Sequence, residues 1–349
     1  MGGHRGRRRA VALVVALTAL VATGAAANAA PTSGPTVWFF TGDATFGQVG
    51  PGDQAARLDP NPLHCEKGED DCNLQGIAFA AGRLWVADAT NGLRAIDPST
   101  GRAVNRPNDG RYSSNPVPFD GRLWFTTVTR VESVHPPDTA ASPPSVSLPG
   151  AFTEDVAASR HVLWVAGSGD GRTVGAAVGW YDPRTGTRRT ARLPATGEVA
   201  PLVAPMDDTT AYVVTSPTGP DDTAPPSELF RVAIPASGSP QVSDLGPLSF
   251  GPGGIVAVDG HLWLNDVNAS RLVELDPRGV PTGQVALGVG GDGQLVGAAG
   301  QLWYVGSARR GHDSLVVVDP RTGSITRTVP ITLPGSEEVY LFTVIPGGH

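Results

Sequence analysis

A repeat of about 40 to 50 residues runs through the chain and leaves few folds open to it. Its clearest copy has the turn glycine Gly82, the apolar run Leu84-Trp85-Val86 and the turn Asp97-Pro98-Ser99-Thr100-Gly101. The aromatic anchor of the repeat recurs seven times, at Trp38, Trp85, Trp124, Trp164, Tyr212, Trp263 and Trp303. The turn proline recurs in phase with it, at Pro60, Pro98, Pro136, Pro183, Pro235, Pro277 and Pro320. Two markers that stay in phase over seven copies indicate a structural unit.

Each copy holds enough residues for four short strands. In the second copy, alternating apolar residues between turn signals predict strands at about 76–81, 83–89, 93–97 and 102–106. The 45 glycines and 32 prolines of the chain exclude a helical bundle, because both residues interrupt helices. Four-stranded units of this length are typical of β-propeller blades. The sequence therefore predicts an all-β fold.

The two ends of the chain complement each other. After Pro320 the sequence offers one outer strand and one inner strand, predicted at 340–345, but no anchor strand follows. An anchor strand without an inner neighbour stands instead at the other end, at 37–40. We therefore predict that the C-terminal strand pairs with the N-terminal strands and closes the ring. The result is a single domain over residues 30–349, a seven-bladed propeller of four-stranded antiparallel blades.

The first 29 residues have the pattern of a signal peptide. Arg5, Arg7, Arg8 and Arg9 precede an apolar run over 10–21, and Ala27-Asn28-Ala29 offers a cleavage site. We predict cleavage after Ala29 and a secreted protein. The pair Arg8-Arg9 leaves twin-arginine export open beside the general secretory route. The apolar run is too short to span a bilayer, and no later run reaches 18 residues, so we expect no membrane span.

Cleavage would make the chain more acidic and would leave both cysteines in the exported part. Loss of four arginines leaves 22 basic side chains against 33 acidic ones, a net charge of −11. Without a basic stripe, we exclude nucleic acid as a partner. Cys65 and Cys72 lie in one polar loop, and outside the cytosol we expect them to form a disulfide. Two free thiols are the alternative, because so short a loop restricts the bond geometry.

The Leu-Trp-Val strands and Asp-Pro-x-Thr-Gly turns resemble a broad group of propellers with NHL and YVTN repeats, which includes the streptogramin (virginiamycin B) lyases. The resemblance covers residues 37–349 and implies the fold. Those lyases use a Glu-x-His pair and a further histidine with Mg²⁺, whereas this sequence contains no Glu-x-His. Propeller lactonases of the gluconolactonase type use Glu, Asn and Asp around one divalent ion. Asn115, Glu154 and Asp155 offer a similar set here.

Polar residues cluster nine to thirteen positions before the anchors, where loops lead into the innermost strands. Propellers usually bind ligands there, around the central channel. Glu154, Asp155, Asp292 and Glu337 are candidate metal ligands, and Gln75, Asn115, Glu198, Gln294 and Glu338 are candidate ligand-facing residues. Converging carboxylate oxygens favour a hard cation such as Ca²⁺ or Mg²⁺. The alternative interpretation is a set of solvated polar loops that hold no cation.

The sequence contains no complete catalytic motif, and this favours a binding function over an enzymatic one. There is neither a Gly-x-Ser-x-Gly elbow nor a Walker-type loop. We therefore expect an exported, monomeric propeller that binds a small molecule or a protein through one face of the ring. The alternative is a divalent-metal-dependent lyase or lactone hydrolase, with its site at the acidic mouth of the central channel.

Overall fold

The computed structural model describes most of the chain after residue 33. The described residues are 34–41, 45–59, 63, 73–89, 92–105, 116–136, 141–148, 151–169, 175–194, 199–217, 226–290, 293–309, 312–333 and 338–347. The predicted signal peptide lies outside these residues, so its cleavage and the domain boundary at residue 30 stay predictions. Within the described ranges, no helix is long and apolar enough to cross a bilayer.

The described chain forms 28 strands. The first fourteen are β1 (Thr36–Thr41), β2 (Phe46–Val49), β3 (Arg57–Asp59), β4 (Leu74–Ala80), β5 (Arg83–Asp88), β6 (Gly92–Ile96), β7 (Ala103–Asn105), β8 (Val117–Phe119), β9 (Arg122–Thr126), β10 (Arg130–Val134), β11 (Ala141–Ser147), β12 (Ala151–Ala158), β13 (Leu163–Gly169) and β14 (Ala177–Asp182). The rest are β15 (Thr187–Arg192), β16 (Val199–Pro205), β17 (Thr210–Pro217), β18 (Glu228–Ala233), β19 (Gln241–Pro247), β20 (Pro252–Val258), β21 (His261–Asp266), β22 (Arg271–Leu275), β23 (Pro281–Ala286), β24 (Gln294–Ala298), β25 (Gln301–Arg309), β26 (His312–Asp319), β27 (Ser324–Thr332) and β28 (Val339–Ile345).

These strands form seven four-stranded antiparallel sheets, which confirms the predicted blades. Six blades use consecutive strands, beginning with β4–β7 and ending with β24–β27. The seventh has the order β28-β1-β2-β3 and so joins the two ends of the chain. The first strand of each blade contacts the first strand of the next, so these inner strands surround the axis of the ring.

Ring closure depends on the pairing of β28 with β1. Phe342 is opposite Phe39, and the pairing extends from Thr36 opposite Ile345 to Thr41 opposite Val339. Phe342 and Val344 are buried in a core shared with the neighbouring blade, where they pack with Val37 and the anchor Trp303. The predicted closure is therefore confirmed, and β28 begins one residue before the expected position.

The anchors are core residues. Every anchor tryptophan and Tyr212 is buried on the second strand of its blade, and Trp85 and Trp164 have no exposed surface. The indole N–H of Trp85 donates to the carbonyl of Ala80, at the end of the preceding inner strand. The same bond is made by Trp124 to Phe119 and by Trp303 to Ala298. The anchors therefore pack the blades together, and in these three blades the indole also fixes the hairpin before it.

The Asp-Pro turns lie between the third and fourth strands. Asp97 accepts the backbone N–H of Ser99 through Oδ1 at 2.8 Å, and the turn ends at Gly101, whose φ is +65°. The same carboxylate-to-amide bond recurs at Asp182, Asp276 and Asp319. In these four blades the bonds fix the turn that leads into the outer strand, as expected of Asp before a turn proline.

Because the strands alternate in direction, the ring has two distinct faces. We call the face where every inner strand begins the entrance face. It also carries the loops between second and third strands, whereas the opposite face carries the anchor hairpins and the Asp-Pro turns. The turns on the opposite face are short, so the differences in loop length between the repeats are concentrated on the entrance face.

Replacing Phe342 by alanine should weaken ring closure. Phe342 is 1% exposed, and loss of a buried aromatic ring should lower the free energy of unfolding by about 3–5 kcal/mol. The matched control is Tyr340→Ala on the same strand, where the side chain is 56% exposed and the change should stay within about 0.5 kcal/mol. Urea titrations of both variants measure the difference. Equal stabilities would contradict the closure described here.

Candidate functional site at the channel entrance

Four inner strands carry a β-bulge at the same register on the entrance face. The extra residue, which has no partner on the second strand, is Gln75 in β4, Glu154 in β12, Gly253 in β20 and Tyr340 in β28. A bulge bends its strand and redirects a side chain, and bulges are common beside functional sites. In three of these blades the bulge lies ten residues before the anchor tryptophan. The positions predicted from their distance in sequence before the anchors therefore do lie on the entrance face.

The structure places five of the predicted entrance residues. Within inner strands lie Gln75, Gln294, Glu154 and Asp155, the last two as the fourth and fifth residues of β12, and Glu338 directly precedes β28. The others lie outside the described residues, so their roles, and the disulfide, stay predictions: Asn115, Glu198, Asp292, Glu337, Cys65 and Cys72.

Asp155 and Gln294 each bond the inner strand that carries them to the inner strand of the next blade. Asp155 Oδ2 accepts the backbone N–H of Val203 on β16 at 2.8 Å. Gln294 Oε1 accepts the backbone N–H of Phe342 on β28, also at 2.8 Å. The two acceptors occupy the same position relative to their anchors, and so do the two donors. An inner strand has no ladder partner on its channel side, so these side chains satisfy backbone amides that would otherwise face the channel.

Asp155 is an unusual carboxylate. The side chain is only partly exposed. Burial raises the pKa of Asp155 from an ordinary 3.8 to about 6, and the charge of Glu154 adds to the rise. The backbone N–H groups of Val203 and Val156 stabilise the anion and oppose part of this rise. Asp155 therefore titrates in a range where ordinary aspartates are fully ionised.

The described carboxylates do not by themselves form a metal site. Both Asp155 oxygens accept backbone N–H groups, and Glu154 Oε1 accepts the hydroxyl of Ser168 at 2.8 Å. In the part of the chain that the structure describes, no group of three or more His, Cys, Asp or Glu side chains could hold an ion. A cation at the entrance would therefore depend on Asp292 and Glu337 as well, and the four-residue set stays a prediction.

Beyond the bulges the channel wall is apolar. A cavity of about 570 Å³ on the ring axis is lined from six of the seven inner strands. Most of the lining residues are aliphatic or aromatic. Phe79 and Val117 are partly exposed, whereas Ile77, Val156, Leu295 and Phe342 bury most of their side chains between the blades. Gln294 and Thr343 supply polar side chains. Such a channel suits an apolar group better than an ion.

Three large apolar side chains are exposed on the entrance face. Phe152 is 40% exposed, Val128 44% and Tyr340 56%. Val128 lies beside Phe152, because its carbonyl accepts the backbone N–H of Thr153. Sequence reasoning missed these residues since it looked for carboxylates and amides. Phe152 and Tyr340 lie two residues from the predicted Glu154 and Glu338. A search of the same sequence positions for aromatic residues would therefore have found them.

The fold is similar to that of several solved structures. A hypothetical selenium-binding protein from Sulfolobus tokodaii gives a TM-score of 0.62 at 12% identity, covering 92% of this chain and 95% of that one. An ACO/RPE65 chimera gives 0.59 at 12% identity, covering 89% and 92%. Streptogramin B lyase gives 0.51 at 13% identity, covering 75% and 84%. At these identities the similarity shows the fold alone, and it confirms the fold-level resemblance stated from the repeats.

No protein family matches this sequence, and no curated protein matches it either.

The raised pKa of Asp155 predicts a specific pH dependence of stability. The folded chain keeps this proton up to about pH 6, while the unfolded chain loses it near 3.8. The free energy of unfolding should therefore fall as the pH rises between these values, by up to about 3 kcal/mol from this group. Asp155→Asn should remove that fall in urea titrations from pH 4 to 7. Glu338→Gln, which removes an exposed entrance carboxylate, should keep the wild-type slope. Equal slopes for Asp155→Asn and wild type would contradict the assignment.

Thermal unfolding tests the cation interpretation directly. Because both Asp155 oxygens are already bonded, we expect the melting temperature to stay within about 1 °C in EDTA or in millimolar Ca²⁺. An ion bound at a hundred times its Kd would add about 2.7 kcal/mol to the free energy of unfolding. A rise with Ca²⁺ that Glu154→Gln abolishes would establish a metal site at the entrance.

Proposed function

We propose that this chain is an exported binding propeller, which takes an apolar group of a small molecule or protein through the channel entrance. The observation that carries the proposal is that the exposed aromatic rings of Phe152 and Tyr340 lie at the entrance-face ends of inner strands β12 and β28, and residues further along the same two strands line the axial cavity. Exposed aromatic side chains that border an apolar cavity commonly mark binding sites. Export rests on the sequence pattern of residues 1–29 alone.

The polar residues of the entrance support binding rather than catalysis. Asp155 and Gln294 accept backbone N–H groups of the next blade, so the fold fixes the orientation of both side chains. Glu154 accepts the hydroxyl of Ser168, and Gln75 donates to Asn73, so among the described rim residues Glu338 is the exposed carboxylate. A rim of this kind orients a ligand, while the apolar wall supplies most of the binding energy. The alternative, a metal-dependent lyase or lactone hydrolase, requires the Ca²⁺ response described above.

Binding of the neutral apolar dye Nile red tests the proposal. We expect saturable binding of one dye per chain, and Phe152→Ala with Tyr340→Ala should weaken it at least tenfold by removing the aromatic rim. Stability should be nearly unchanged, because both side chains are exposed.

The matched control uses the opposite face. Val280 and Ile325 are also exposed, at 55% and 42%, and the double alanine variant should bind the dye like wild type. If both double variants lose affinity equally, or neither does, the dye does not bind at the entrance. The proposed site would then be wrong.

A further inference from the structure

The outer strand of each blade is a sheet edge, and within the described residues six of the seven edges are blunted. As far as the structure describes them, β3 and β7 have three residues each. The pairings of β11, β19, β23 and β27 each contain a register shift, and proline occurs in all four strands. Short strands, bulges and prolines are the usual ways in which proteins prevent another strand from pairing at an edge.

If the closing blade is counted first, β12–β15 form blade four and β16–β19 blade five, and blade four is the exception. Its outer strand β15 has six residues with the sequence TRRTAR, contains no proline and pairs with β14 without any register shift. In an antiparallel ladder every second residue directs its N–H and C=O away from the neighbouring strand. β15 therefore presents a regular row of backbone groups, long enough for another strand to pair with it.

Arginines give this edge a strong positive charge in an otherwise acidic chain. Arg188 and Arg192 lie on one face of β15, four residues apart, and both are exposed. Neither forms an ion pair with any residue that the structure describes, whereas Arg184 is paired with Asp182 at 3.0 Å. The guanidinium of Arg188 lies over the ring of Tyr181, 5.5 Å from its centre, which positions it. These two exposed arginines would attract carboxylate side chains on the same face of a strand that paired with β15.

The remaining arginine of the strand is already used inside the ring. Arg189 lies on the other face of β15, where its Nη1 donates to the carbonyl of Pro235 at 2.6 Å. Its Nη2 donates to the carbonyl of Ala236 in the same turn of blade five. These bonds hold the strand against its neighbour, so its edge is a rigid template.

We propose that β15 binds an extended acidic segment of a partner protein, which adds to blade four as a fifth strand. Backbone pairing would supply affinity, and acidic side chains at alternate positions would meet Arg188 and Arg192. A second copy of this chain does not fit the site, because antiparallel pairing of two β15 strands would place arginines near arginines. The site is separate from the channel entrance and does not depend on the function proposed there.

A labelled peptide of alternating glutamate and threonine, eight residues long, tests the proposal by fluorescence anisotropy at low salt. We expect it to bind, and Arg188→Gln with Arg192→Gln should weaken binding at least tenfold. The control variant, Arg102→Gln with Arg278→Gln, removes the same charge from two exposed arginines elsewhere and should bind like wild type. A lysine–threonine peptide should not bind.

Backbone pairing is tested with the same acidic peptide methylated at alternate backbone nitrogens. Methylation removes the N–H donors and keeps the charge, so this peptide should bind at least tenfold more weakly. Equal binding would mean that the arginines form a general polyanion site, and the proposal would be overturned. It would also be overturned if the unmodified peptide failed to bind, or if the control variant lost as much affinity as the β15 variant.

Discussion

The whole ring depends on one packing constraint: a four-stranded blade has two apolar faces and can cover neither by itself. Each buried cluster therefore draws on adjacent blades, as where Trp303 packs with Phe342 across the closure. The side-chain bonds from Asp155 and Gln294 act at the same boundaries, nearer the axis. Because every blade needs both neighbours, one missing strand would expose two cores, and for this reason the chain ends must meet in one sheet.

The entrance combines polar residues that bond neighbouring blades with polar residues that lie at the rim, and the sequence does not distinguish the two kinds. Asp155 and Gln294 stabilise the ring, because they accept amides that have no ladder partner. Gln75 and Glu338 lie at the rim without such a role in blade-to-blade bonding. Acidity at a propeller mouth is therefore poor evidence for a metal. The apolar wall beyond it and the exposed rings of Phe152 and Tyr340 say more about the ligand.

The blades could be predicted because their signals are local. Trp85 donates to a carbonyl five residues away, and Asp97 accepts an amide N–H two residues away. Both interactions therefore fall within one short sequence motif, which can recur in each repeat. The entrance could be predicted only as a set of positions. The bond from Asp155 to Val203 joins residues 48 apart and depends on how two inner strands lie against each other. The isolation of β15 as an unblunted edge appears only when all seven outer strands are compared.

The bulges separate the residue that faces a ligand from the ladder that holds the blade. Because a bulge residue has no partner on the second strand, Gln75, Glu154 and Tyr340 can be exchanged without altering the register of the flanking pairs. Gly253 is restricted, since an added Cβ would meet Val267 Cγ1 at 2.6 Å. Three positions spaced around the ring can therefore vary independently, so the scaffold can evolve, or be engineered, towards new ligands while its fold stays unchanged.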